Sequence, residues 1–209
     1  AGGNGLRDIV NKSLKLNNDL DRYVEQALEQ NRPVKIGWGR AGDERPKDGE
    51  FGVMTHLPDG ARVLCLGSFG DCVGAANRGG TLTIRGDAGS MLGAFQLSGK
   101  TVVEKDVGDK AGFSMAGGEI SIQGSTGDES GSSMTGGTLL VRGHSGDRLG
   151  SGMSGGSIVV MGSVGSEPGI GMTGGRIIIS GSCPPPPDGV EMRSIKKSEI
   201  SEFAKLLDP

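Results

Sequence analysis

Glycine recurs every nineteen residues through the middle of this chain, and it does so in three separate columns. Six units align without insertion or deletion: Gly67–Arg85, Gly86–Glu104, Lys105–Gln123, Gly124–Arg142, Gly143–Met161 and Gly162–Ser180. Their fourth position reads Gly70, Gly89, Gly108, Gly127, Gly146 and Gly165. Their eighth reads Gly74, Gly93, Gly112, Gly131, Gly150 and Gly169. Their fourteenth reads Gly80, Gly99, Gly118, Gly137, Gly156 and Gly175. A fixed period near twenty residues marks a solenoid, in which each unit stacks on its neighbour. A helical unit is excluded, because each interior glycine costs a helix roughly 1 kcal/mol.

The end of every unit alternates. Positions sixteen and eighteen hold Leu82 and Ile84, Thr101 and Val103, Ile120 and Ile122, Leu139 and Val141, Ile158 and Val160, and Ile177 and Ile179. Period two with β-branched residues predicts a strand that turns these side chains to one face. The glycine before each strand turns the chain sharply. A strand followed by three corners closes one coil, and coils stacked at about 4.8 Å make six rungs of a rod ~29 Å long. The fold class is therefore all-β at its core: a single-stranded, right-handed parallel β-helix of six coils, capped by N-terminal helices and a C-terminal helix. The chain divides into a helical and irregular cap over 1–60, the β-helix over 61–182, and a proline exit with closing helix over 183–209.

Methionine holds the eleventh position in four units, as Met115, Met134, Met153 and Met172. Stacked thioethers fill a narrow interior better than they bind a hard metal. Asn77 and Gln96 stand in the same column of the first two units. They form a short amide ladder, or mark where the tube opens.

Aromatics are only 3% of the 209 residues, and 41 are glycine, a composition that would suggest low complexity without the repeat. Stacking supplies the missing core. The net charge of −3, with both signs scattered, gives no reason to expect nucleic acid or an anionic membrane as partner. No apolar run spans a bilayer and no secretory pattern opens the chain. Three cysteines at irregular spacing, Cys65, Cys72 and Cys183, form no metal or disulfide framework and suit a reducing, cytoplasmic setting.

In the N-terminal flank, Leu6 to Leu16 reads as one helix. A second, capped by Asn18 or Asp19, carries Leu20, Tyr23, Val24 and Leu28 on its apolar face and ends before Pro33. Lys35–Phe51 reads as irregular, and Ala61–Leu66 as a half coil. Trp38 is either a contact anchor or a lid over the first coil. Pro184 to Pro187 cannot donate to a ladder and terminate it. Ser198–Leu207 reads as a closing helix with Ile200, Phe203, Leu206 and Leu207 on one face.

No catalytic constellation emerges. His56 has no acid pattern around it, and His144 sits in a polar corner column with Ser68, Asp87, Asp106, Ser125 and Ser163, where solvent suffices for it. Asp71, Asp109, Asp128 and Asp147 share the fifth position with Ser90 and Ser166. Their likeness to calcium-binding rolls is loose, since those use nine-residue repeats, and they close turns through their own side chains. The glycines lack the Lys-Ser ending of a phosphate loop. Position seventeen ends in Leu140, Val159 and Ile178, an apolar strip that is either an interface or the seat of a terminal helix.

The stretch Gly143-His144-Ser145-Gly146-Asp147-Arg148-Leu149-Gly150-Ser151-Gly152-Met153-Ser154-Gly155-Gly156, with its siblings, resembles the glycine-repeat β-helix family known as GXGXG. That family includes the C-terminal domain of the glutamate synthase large subunit and the glycine-repeat subunit of formylmethanofuran dehydrogenase. Gly93-Ala94-Phe95 with Gly99 is similar to a coil of the former. The resemblance covers Gly67–Ser180 and is specific for the fold. It implies a non-catalytic scaffold in an oxidoreductase complex, binding no cofactor itself, beside subunits that carry flavin, iron–sulfur or tungsten/molybdenum. Lys105 interrupts the first glycine column, and the N-terminal flank matches neither member. Two alternatives remain: a stand-alone enzyme with a site near Asn77, Gln96 and Arg78, or a self-associating structural protein that forms homo-oligomers.

Overall fold

The computed structural model describes residues 3–37 and 50–207, with side chains from residue 7 and up to residue 205. Helix α1 (Gly3–Glu29) leads into strand β1 (Val34–Gly37). Seven further strands follow: β2 (Arg62–Leu66), β3 (Arg78–Ile84), β4 (Ser98–Val103), β5 (Glu119–Ile122), β6 (Thr138–Val141), β7 (Ser154–Val160) and β8 (Gly174–Ile179). Helix α2 (Lys197–Leu207) closes the chain. The strands form one parallel sheet in sequence order. From β2 onward the register repeats at nineteen residues: Cys65 pairs with Ile84, Ile84 with Val103, Val103 with Ile122, Ile122 with Val141, Val141 with Val160 and Val160 with Ile179. The chain is a parallel β-solenoid.

Its core is the alternation read from the sequence. Leu82, Ile84, Val103, Ile120, Ile122, Leu139, Val141, Ile158 and Val160 are all fully buried. Met115, Met134 and Met153 stack behind them, also fully buried, and the half-buried Met172 packs against the same cluster.

The solenoid begins earlier than the repeat suggests. Residues 50–66 form a complete further coil rather than a half coil. Phe51 bridges Asp71, twenty residues on, while Val63 pairs with Leu82, nineteen on. One extra residue between Leu57 and Ala61 throws the coil out of phase. Met54, at a φ of 57°, takes the eighth-position corner where later coils have glycine, and buried Leu57 takes the methionine column. Lys35–Gly37, the start of the stretch expected to be irregular, belongs instead to β1, which pairs with β2 through Ile36 and Cys65.

The two expected N-terminal helices are one. The expected caps Asn18 and Asp19 lie inside the continuous helix, where Asn18 is exposed and Asp19 pairs with Arg22, while the neighbouring Asn17 is turned to the first coil. Asn17 Nδ2 donates to Gly52 O at 2.7 Å and Thr55 Oγ1 at 3.2 Å, and its Oδ1 accepts from Met54 N–H at 3.1 Å. Ser13 Oγ accepts from Phe51 N–H at 2.9 Å. With Leu20 and Val24 these residues make the helix's buried stripe, while Tyr23 and Leu28, expected on the apolar face, are 61% and 38% exposed. Helix α1 is thus the lid on the first coils. It ends at Glu29, and Asn31 just beyond has a φ of 50°, the left-handed turn that stops a helix.

Candidate functional site

Two polar columns run along the outside of the rungs, and both use side chains to bind the next rung. In the fifth-position column, Asp71 Oδ1 accepts from Ser90 N–H at 2.8 Å and Ser90 Oγ from Asp109 N–H at 3.2 Å. Asp109, Asp128 and Asp147 Oδ1 then accept from Asp128, Asp147 and Ser166 N–H, each at 2.8 Å. The sequence led us to expect that these aspartates close their own turns; instead, each ties its corner to the corner above it. The same oxygens explain the fourth-position glycines. A Cβ on Gly89, Gly127, Gly146 or Gly165 would overlap the Oδ1 of Asp71, Asp109, Asp128 or Asp147.

The second-position column works the same way. Ser68 Oγ, Asp87 Oδ1, Asp106 Oδ1 and Ser125 Oγ accept from the N–H of Asp87, Asp106, Ser125 and His144 at 2.7–3.0 Å. His144 is not merely solvated: its Nδ1 accepts from Ser163 N–H at 2.8 Å, which places the ring proton on Nε2.

Asn77 and Gln96 are wholly buried, and neither an opening nor an amide ladder between them exists. Asn77 Oδ1 accepts from Gly79 and Gly80 N–H, and its Nδ2 donates to Gly80 O at 2.9 Å. Gln96 Oε1 accepts from Thr101 Oγ1 at 2.9 Å, and its Nε2 donates to Glu119 O at 3.1 Å. Both amides close the turn into the following strand, while Arg78 is exposed. These three residues do not line a common groove.

Of the structural glycines, Gly99, Gly118, Gly137, Gly156 and Gly175 have φ between 76° and 85°. Gly80 does not share that conformation; it is crowded instead by Leu57 Cβ at 3.0 Å.

This geometry has a counterpart among known proteins. The GXGXG motif family matches residues 107–206. The matched stretch, which takes in the later rungs, is similar to that family. No curated protein matches the chain.

The solenoid carries its sequence-predicted interface residues in one place. Leu140, Val159 and Ile178 are adjacent in register and at most 9% exposed. Met161 and Phe203 of α2 pack on them. Arg176 lies 5.2 Å over the Phe203 ring and pairs with Glu202 at 2.7 Å. The strip is the seat of the chain's own helix. Ile200, expected on the same helical face, is 56% exposed, and the side chains of Leu206 and Leu207 lie outside the described residues. Trp38 also lies outside them.

The thiols are poor nucleophiles. Burial, with Glu50 adding to it, pushes Cys65 up to about 12. Burial also raises Cys72, helped by Asp71, and Cys183. Among the described residues, no group of three or more His, Cys, Asp or Glu side chains could hold a metal ion, and no helix is long and apolar enough to cross a membrane.

A cavity of about 490 Å³ beyond β8 had no counterpart in the sequence pattern. It lies between Met172, Ile177 and Ile179 of the last coil, the 190–195 segment and Phe203. The return of the chain after the prolines brings these walls together.

Proposed function

We propose that this chain is a structural scaffold within a multi-subunit oxidoreductase of the glutamate synthase or formylmethanofuran dehydrogenase type, positioning partners that carry the reaction. The observation that carries this reading is the commitment of the polar side chains. The aspartate, serine and histidine oxygens and nitrogens of two columns, and the Asn77 and Gln96 amides, are engaged in holding rung to rung or strand to turn. A catalytic group must be free to meet a substrate; these groups already have their partners. The GXGXG domain occurs in glutamate synthase, which supports the oxidoreductase setting. Parallel rungs tied by both backbone and side-chain ladders resist bending, so a solenoid fixes the distance between whatever docks on it.

The test is isolation of the tagged full chain from its native source at low ionic strength. The expected result is stoichiometric co-purification with subunits showing flavin or iron–sulfur absorbance. Recovery as a free monomer that itself turns over a substrate would overturn the scaffold reading.

A further inference from the structure

We propose that the slot beyond β8 receives an extended, uncharged segment of a partner polypeptide, which pairs with β8 as one more rung. The inference rests on the scaffold reading only in taking the occupant to be a polypeptide.

The backbone defines the site. Position-nineteen N–H groups donate back to the preceding rung, as Ser180 donates to Val160 O at 2.9 Å, and position-fifteen groups do the same, as Ser157 donates to Gly137 O. In a parallel strand the alternate residues face the other way. On β8 these are Ile177 and Ile179, whose N–H and C=O groups therefore point away from β7. No described strand pairs with that edge. The first corner is covered, since Val164 N–H donates to Ser182 O at 3.0 Å, but the later corners are open. Arg148 and Gly152 N–H donate to Ser166 and Ile170 of the rung above, and the equivalent groups of Glu167 and Gly171 have no rung above them among the described residues.

The chain shields this edge without pairing to it. After the prolines it returns over residues 190–195, which have no strand assignment, and it leaves the cavity of about 490 Å³ in between. That volume is within the usual range of binding pockets. A free edge with apolar walls is the geometry of β-strand addition, where main-chain hydrogen bonds give affinity and alternate side chains give selectivity. The inserted strand would place aliphatic side chains over Ile177 and Ile179, as β6, β7 and β8 do over the rungs before them. Met192 and Ile195, 61% and 43% exposed, form the outer wall.

Charge selects the occupant. Two cations at the slot are neutralised by this chain's own carboxylates: Arg176 by Glu202 and Arg193 by Glu199, each at 2.7 Å. Glu191 stands exposed at the rim. The slot complements an uncharged strand and disfavours an acidic one.

The experiment uses the full chain and a fluorescent peptide copying Ser154–Met161, the chain's own rung strand, with a short uncharged polyethylene glycol chain at one end for solubility. A control peptide carries proline at the position of Val159, which removes one N–H and breaks pairing. The expected result is saturable binding by anisotropy, at least about tenfold weaker for the proline peptide and for protein with Ile195→Glu or Met192→Glu. Amide exchange at Ile177 and Ile179 slows when the first peptide is bound. Equal binding of both peptides, unchanged exchange at β8, unaltered affinity in both variants, or no binding up to about 1 mM would each overturn the proposal. Failure of the scaffold reading looks different: the protein would be isolated without subunits whatever the peptide does.

Discussion

The backbone N–H of Asp147 donates to Oδ1 of Asp128, nineteen residues earlier, at 2.8 Å. Gly146 stands beside the same oxygen, and a Cβ there would overlap it. The aspartate column and the glycine column are therefore one device. Asp128→Ala is expected to lower stability by about 1 kcal/mol, the usual worth of such a hydrogen bond, and Asp128→Asn by less because its Oδ1 still accepts. Gly146→Ala costs less in the Asp128→Ala background than in the wild type, since the clash with Oδ1 is gone. Urea titration of the four proteins reads the coupling, expected at about 0.5 kcal/mol or more. An additive cycle would show that the columns are independent.

Glycines of similar backbone conformation are predicted to differ sharply. Gly118 has a φ of 76° and Gly171 a φ of 68°. A Cβ on Gly118 would overlap Gly99 O and lie 2.8 Å from Gln96 Nε2, whereas one on Gly171 meets nothing within 4 Å. Gly171→Ala carries only the conformational cost, about 1 kcal/mol. Gly118→Ala adds displacement of a neighbouring rung and is expected to cost at least about 3 kcal/mol, or to prevent folding. Thermal unfolding monitored by circular dichroism separates the two.

Ser130 is fully buried and its Oγ has no hydrogen-bond partner. Its column holds Val73, Leu92, Ala111 and Leu149, all fully buried. Ser130→Ala removes an unsatisfied hydroxyl from an apolar column and should raise stability by about 1 kcal/mol. A lower midpoint in the variant would mean that the hydroxyl is satisfied in solution.

The start of α2 is sensitive to acid. Glu199 is held at about 2, chiefly by its hydrogen bond from Arg193 and then by the backbone N–H of Lys196. Its ordinary value is 4.5. A depressed carboxylate contributes stability above its unfolded value and loses it as pH falls through the folded one. The first turn of α2 should therefore loosen between pH 4.5 and about 2. Exchange of its amides will show this, and Glu199→Gln will show the loose turn already at neutral pH.

Cys65 should stay unlabelled by a disulfide reagent at about pH 8 while the protein is folded, and react only on unfolding. Burial raises its pKa to about 12 and so depletes the thiolate, which is the reactive form. The same shift destabilises the fold as pH rises from 9 toward about 12, because the unfolded thiol ionises first. Native labelling of Cys65 as fast as Cys72 would contradict the burial.

The repeat, its inward faces and its methionine stack were legible because they recur at one spacing. The coil at 50–66 was not, because a single extra residue near Pro58 shifts it out of phase. Left-handed corners were half legible: glycine signals the eighth position, but the sixth is held by Cys72, Met91, Lys110, Glu129, Arg148 and Glu167, all between 54° and 58°. No sequence preference predicts that conformation; rung-to-rung hydrogen bonds impose it. The same holds for His144, whose column shows only that a polar group is needed. Asn18 and Asp19 misled because a capping residue and one on the outer face of a continuous helix look identical in sequence: Asn18 is exposed and Asp19 pairs with Arg22. The open side of β8 was invisible, since it depends on where the chain goes after the prolines.

These ladder bonds in the polar columns join residues nineteen apart. Excising one whole unit, or duplicating one, brings equivalent donors and acceptors back together across the splice. Length is thus an adjustable quantity in this architecture, set in steps of a single strand spacing, and the reach between its two ends can be changed without redesigning either.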